Sequence, residues 1–112
     1  AGAREAGRLG ALFETWTAGE VRAALAAEGG PSSLHHWRTH AGAEVDLVVE
    51  RAGRLLPIEC KAAETVSARD GRGIERFLET YGRAAPFGAI IHAGADHRLL
   101  GPRLIAISAR AV

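Results

Sequence analysis

Glu44-Val45-Asp46-Leu47-Val48-Val49-Glu50, then Arg51-Ala52-Gly53, then Arg54-Leu55-Leu56-Pro57-Ile58-Glu59-Cys60-Lys61: this stretch decides the fold. Val45, Leu47 and Val49 fall on every second position, as do Leu56, Ile58 and Cys60, so both halves read as strands. A two-residue turn at Ala52-Gly53 joins them as a hairpin. That register sets Asp46 directly opposite Glu59 and Glu44 opposite Lys61. Side chains two apart share a face, so Glu44, Asp46, Glu59 and Lys61 are expected on one side. Val45, Leu47, Val49, Leu56, Ile58 and Cys60 then form the core side.

Directly opposed like charges destabilise a strand pair. Asp46 facing Glu59 makes chemical sense if a hard divalent cation sits between them. Magnesium takes one or two carboxylates, several waters and phosphate oxygens. Lys61 points the same way and has the reach to meet a scissile phosphate or the attacking water. A hairpin with one solvated face shows the same alternation, and Glu44–Lys61 also reads as a surface pair worth a few tenths of a kcal/mol. A three-residue loop would instead place Asp46 opposite Ile58. Spacing alone leaves these readings open.

Working outward, Leu12, Phe13, Trp16, Val21 and Leu25 recur at helical spacing over 11–28, and Gly29-Gly30-Pro31 ends that helix. Residues 1–10 read as a fraying lead-in or the tail of a preceding helix. A short strand is predicted over 34–39, with a turn at 40–42, and residues 62–67 connect to a second helix over 70–81. Ile74, Phe77, Leu78 and Tyr81 form that helix's apolar face, and Gly82 stops it. The near-continuous apolar run over 87–93 reads as a strand covered on both faces. A final strand over 104–107 follows a turn at Gly101-Pro102.

The 112 residues read as a single domain, and their 47% apolar and 24% charged content is ordinary for a globular chain. No apolar run is long enough to span a membrane, and no signal peptide is visible. Cys60 is the only cysteine, which excludes an internal disulfide and a cysteine zinc cluster and suits a reducing cytoplasm. A net charge of +1 does not announce a dedicated nucleic-acid binder. Lys61 is the only lysine among 14 basic residues and follows Cys60, so a phosphate-binding Gly-Lys-Ser/Thr loop is absent. With no methionine anywhere, the chain reads as a fragment of a larger protein.

Asp46 followed by Glu59-Cys60-Lys61 resembles the signature of the PD-(D/E)XK nuclease superfamily, whose αβββαβ core matches the predicted element order over about residues 11–93. Gly10-Ala11-Leu12-Phe13-Glu14-Thr15-Trp16, Trp37-Arg38-Thr39, Gly42-Ala43-Glu44-Val45-Asp46 and Pro57-Ile58-Glu59-Cys60-Lys61 resemble a C-terminal domain of uncharacterised function. That domain occurs in predicted AAA+-type ATPases of bacteria and archaea and is similar to PD-(D/E)XK nucleases. The resemblance implies a restriction-endonuclease-like α/β fold with a mixed central sheet flanked by helices. It implies that Asp46 and Glu59 bind Mg²⁺ or Mn²⁺ and that Lys61 orients the nucleophile or stabilises the transition state. Glu14 on the first helix matches best the acid that completes such sites, and Glu20 is the weaker match. Implied partners are DNA and an ATPase domain in the same parent chain. The second helix departs from the pattern, offering no clear polar match.

Three functional readings follow. The first is a Mg²⁺-dependent DNA phosphodiesterase. The second is a non-catalytic DNA- or protein-binding module of an AAA+-type ATPase that keeps the nuclease fold, and the third a purely structural or oligomerising domain. Weaker signals have plainer readings. Arg72, Arg76 and Arg83, with Arg69 before them, alternate with Glu75 and Glu79 as a solvated mixed face. Gly71-Arg72-Gly73 is a weak phosphate loop, and His36 with His40 a weak metal pair. Trp16 and Trp37 read as core or edge aromatics, and His92 as a satisfied core or strand-end histidine.

Overall fold

Ala52 and Gly53 both have positive φ, 53° and 76°, which is the left-handed pair a primed hairpin turn requires. In the computed structural model, which describes residues 2–112, this turn joins β2 (Glu44–Arg51) to β3 (Arg54–Lys61). The antiparallel register runs from Arg51 opposite Arg54 to Leu47 opposite Ile58. It is the register expected from a two-residue loop.

Around the hairpin lie α1 (Gly2–Glu28), β1 (Ser33–Arg38), α2 (Arg72–Tyr81), β4 (Gly88–His92), β5 (Arg98–Gly101) and β6 (Leu104–Ser108). The strands form one mixed sheet in the order β1-β2-β3-β4-β6-β5. β3, β4 and β6 run parallel, and the other neighbours antiparallel. Parallel pairing of β3 with β4 needs a crossover, which α2 supplies. All five residues of β4 are buried, as its apolar run foretold.

Each face of the sheet carries its own core. Phe13, Ala18, Val21 and Leu25 of α1 pack with Leu47, Val49, Leu56, Ile58 and Ile91. Ile74, Phe77 and Leu78 of α2 pack with Val48, Ile90, Leu104 and Ala106 on the opposite side. Helices therefore cover both faces. No helix among the described residues is long and apolar enough to cross a membrane.

Four expectations change. α1 begins at Gly2 rather than near Ala11, because the Ala-, Arg- and Glu-rich lead-in consists mostly of good helix formers. Leu12 and Trp16 do not join the core; they are 60% and 47% exposed. At 100° per residue both lie nearly opposite Val21 and Leu25, so the helical spacing had merged two faces. β5 has no expected counterpart, since its four edge residues, two exposed and two half-buried, give no alternation to read.

The fourth change matters most. His35 pairs with Val48 but Trp37 with Val45, so two steps along β1 match three along β2. The extra residue is a β-bulge around Asp46 and Leu47, and one inserted residue inverts the alternation beyond it. Val45 accordingly belongs to the α2-side core, not to the face it was expected to share with Leu47 and Val49. Gly73 lets α2 approach this end of β2: a Cβ there would fall on the Glu44 carbonyl.

Candidate active site

The paired ladder of β2 and β3 ends at Leu47 and Ile58, and side chains take over the next bonds. The Asp46 backbone N–H donates to Glu59 Oε1 at 3.1 Å, and the Cys60 N–H donates to Asp46 Oδ2 at 2.9 Å. Each carboxylate thus anchors to the opposite strand through one oxygen, and neither bond uses Asp46 Oδ1 or Glu59 Oε2. Such bonds fix orientation, because a carboxylate accepting a backbone N–H cannot swing freely.

The bulge turns Asp46 toward α1, where Glu14 meets it. Glu14, Asp46, Glu59 and Lys61 line one open cleft of about 430 Å³, walled on the helix side by Ala6 and Gly10. The small wall residues leave room beside the acids. Burial and the crowding of acids here raise the pKa values of Glu14 and Glu59. Partial burial raises the Glu14 pKa, and the charge and hydrogen bonding of Asp46 add to it. Glu59 is pushed up to about 7, first by burial and then by Asp46. Lys61 and the Asp46 N–H pull it partly back. Burial and the same carboxylates push the Cys60 thiol to about 12, so it has no thiolate to offer near neutral pH.

Two charged residues sit differently from the expected single face. Glu44 does not pair with Lys61; its carboxylate is 3.2 Å from Arg38 and 4.0 Å from His36, both on β1. Lys61 Nζ lies 3.8 Å from Asp70, whose carboxylate also accepts the Ser67 N–H at the turn before α2. Lys61 therefore stands between the acidic cleft and Asp70. Glu20 is not among the residues lining the cleft.

Sequence reasoning missed three contributors. Asp70 was legible only as the start of a helix, and its hold on Lys61 depends on how the 62–67 connection closes. His36 places Nδ1 3.4 Å from the Asp46 carbonyl, a contact set by the bulge. Thr17, one turn beyond Glu14, is fully buried and its hydroxyl has no hydrogen-bond partner. It stands near Cys60, where it would donate to a thiolate, and so opposes the rise in the thiol's pKa.

The donor set suits a hard cation. Among the described residues, no three His, Cys, Asp or Glu side chains are gathered closely enough to bind a metal alone. A magnesium ion does not need three, because one or two carboxylates suffice when water and phosphate oxygens complete its shell. Asp46 and Glu59 would hold it, with Glu14 adjacent. The raised pKa values of Glu59 and Glu14 mark a place where positive charge would relieve repulsion.

The weaker signals resolve as structure. Trp37 packs edge-on against Phe77, with ring centroids 5.2 Å apart. His92 is buried, its Nδ1 accepting the Gly94 N–H and its Nε2 donating to the Asp96 carbonyl. A Cβ at Gly71 would strike Leu104, so the Gly71-Arg72-Gly73 glycines serve close packing. Arg72 and Arg76 line a shallow groove together with Glu44, Glu75 and Glu79, a mixed-charge surface.

A family model described as a domain of unknown function, DUF4143, matches residues 9–111. An uncharacterised protein of Mycobacterium tuberculosis, Rv2008c, is 40% identical over 60 residues, covering 54% of this chain and 13% of that protein. An uncharacterised Mycobacterium bovis protein, Mb2031c, matches to the same extent. No solved structure matches.

Proposed function

This chain belongs to the DUF4143 family, and we propose that it is a Mg²⁺-dependent nuclease domain that hydrolyses DNA phosphodiester bonds. In this reading the mixed sheet is a restriction-endonuclease-like core, attached to an AAA+-type ATPase in the cytoplasm. The supporting observation is the convergence of Glu14, Asp46 and Glu59 on one open cleft with Lys61 at its rim.

Asp46 and Glu59 would hold the cation, with Glu14 completing the acidic set. The bound Mg²⁺, or Mn²⁺ in its place, supplies positive charge at the phosphate. The Asp46 and Cys60 N–H groups keep the two carboxylates aimed, so little reorganisation accompanies the reaction. Lys61 donates to a phosphate oxygen or holds the attacking water, with Asp70 keeping the ammonium near the cleft. Strand breakage in supercoiled plasmid with Mg²⁺ or Mn²⁺ tests the proposal. Cleavage lost in Asp46→Asn and Lys61→Ala is expected; no cleavage by the parent, or equal cleavage by the variants, would sink it.

One observation favours a second reading. Lys61 is 3.8 Å from Asp70, an interaction that occupies it without any substrate. A non-catalytic module of an AAA+-type ATPase that binds DNA or protein would retain this geometry. Binding unchanged by Asp46→Asn, with no cleavage by the parent, would select it.

A further inference from the structure

The outer face of α1 carries a feature that neither the core nor the acidic cleft uses. Glu5, Leu9, Leu12, Trp16, Gly19 and Ala23 follow one another at alternating steps of four and three, the spacing of a heptad seam. All six are exposed, with Leu9, Leu12 and Trp16 at 61%, 60% and 47%. Together these three side chains leave an exposed apolar patch on α1, of the kind that marks interaction sites. The Trp16 ring is braced from inside by Phe13, with centroids 6.3 Å apart.

One border of the seam is basic. Arg4, Arg8 and Arg22 run along it, and among the described residues none has an ion-pair partner. This border argues against a second copy. An antiparallel pair centred near Trp16 would set Arg8 beside Arg22, and a parallel pair would bury Glu5 against Glu5. Like charges at these positions oppose pairing. Nucleic acid fits poorly as well, because Leu9 and Leu12 occupy the centre of the face and have nothing to offer a phosphate.

We propose that this face docks an amphipathic helix of a separate polypeptide, with an apolar heptad seam and acidic residues along the edge that meets Arg4, Arg8 and Arg22. Leu9, Leu12 and Trp16 supply the large side chains, and Gly19 and Ala23 leave room for large ones on the partner. The arginine row sets its direction and selects against basic helices.

The test uses two synthetic peptides of three heptads with leucine at the seam positions, one flanked by glutamate and one by lysine. Calorimetry with the 112-residue chain is expected to show the glutamate peptide binding at least about tenfold more tightly. Arg8→Glu with Arg22→Glu reverses that order, and Leu12→Gln with Trp16→Gln removes binding. The altered side chains are exposed, and circular dichroism checks that the fold persists. Equal binding of the two peptides, or an unchanged preference in the charge-reversed variant, overturns the proposal. So does sedimentation showing the chain alone dimerising through this face. A DNA duplex whose binding is lost with the arginines but not with Leu12 and Trp16 assigns the face to nucleic acid and equally overturns it.

Discussion

Glu59→Gln is expected to stabilise the metal-free domain at alkaline pH and to lose that advantage in acid. Glu59 shifts from an ordinary 4.5 to about 7 in the folded state, mainly through burial and then the neighbouring Asp46 charge. The folded chain therefore holds this proton more tightly than the unfolded chain does. Below about pH 4.5 both states are protonated and nothing is lost. Between 4.5 and 7 the folded state is progressively penalised, and above 7 the penalty is complete. At 1.36 kcal/mol per pH unit the full difference is about 3 kcal/mol. Glu59 opens onto a solvated cleft, and screening reduces this to about 1–2 kcal/mol. Glutamine keeps an Oε1 to accept the Asp46 N–H, so the variant removes the charge without orphaning the donor. Chelator-treated parent and variant, melted at pH 4.5 and pH 8, should differ by roughly 4–8 °C at pH 8 and hardly at pH 4.5. A variant less stable than the parent at pH 8, or an advantage independent of pH, would refute the electrostatic argument. Adding Mg²⁺ at pH 8 should raise the parent's melting temperature and not the variant's.

Three further substitutions probe the scaffold. Ala52→Asn places a residue suited to positive φ at the first turn position, where φ is 53°, and should add about 1 kcal/mol in urea denaturation. Gly73→Ala drives a Cβ into the Glu44 carbonyl at the junction of α2 and β2; a loss above about 2 kcal/mol is expected, with weakened cation binding if the bulge moves. Thr17→Val removes a fully buried hydroxyl that has no partner and should stabilise by about 1 kcal/mol; a destabilised variant would reveal a hidden bond.

The hairpin was legible because alternation and a Gly-containing turn act over a few residues, and its register followed from the loop length alone. β4 and the apolar face of α2 were legible for the same local reason, except that Phe87 and Tyr81, assigned to them, are exposed and Phe87 precedes β4. The bulge was not, since one extra residue in β2 is defined only against β1, which comes earlier in the chain and pairs through backbone groups. That device decides which face Val45 and Asp46 take. The exposed side of α1 also misled, because Leu12 and Trp16 satisfy helical periodicity yet belong to a second stripe. Glu14 was placed near the acids by the family resemblance, and its position at the edge of the helix's packed face permits it. Asp70 could not be tied to Lys61 from sequence, since the contact depends on the path of the 62–67 connection.

The claim on which the rest depends is that Asp46 and Glu59, with Glu14 beside them, bind a divalent cation. Electron paramagnetic resonance of Mn²⁺ titrated into the chelator-treated chain at pH 8 tests it most directly. One Mn²⁺ bound per chain, displaced by excess Mg²⁺ and lost in Asp46→Asn and Glu59→Gln, is the expected result. Free Mn²⁺ signal undiminished by the parent chain, or binding that survives both substitutions, would contradict it.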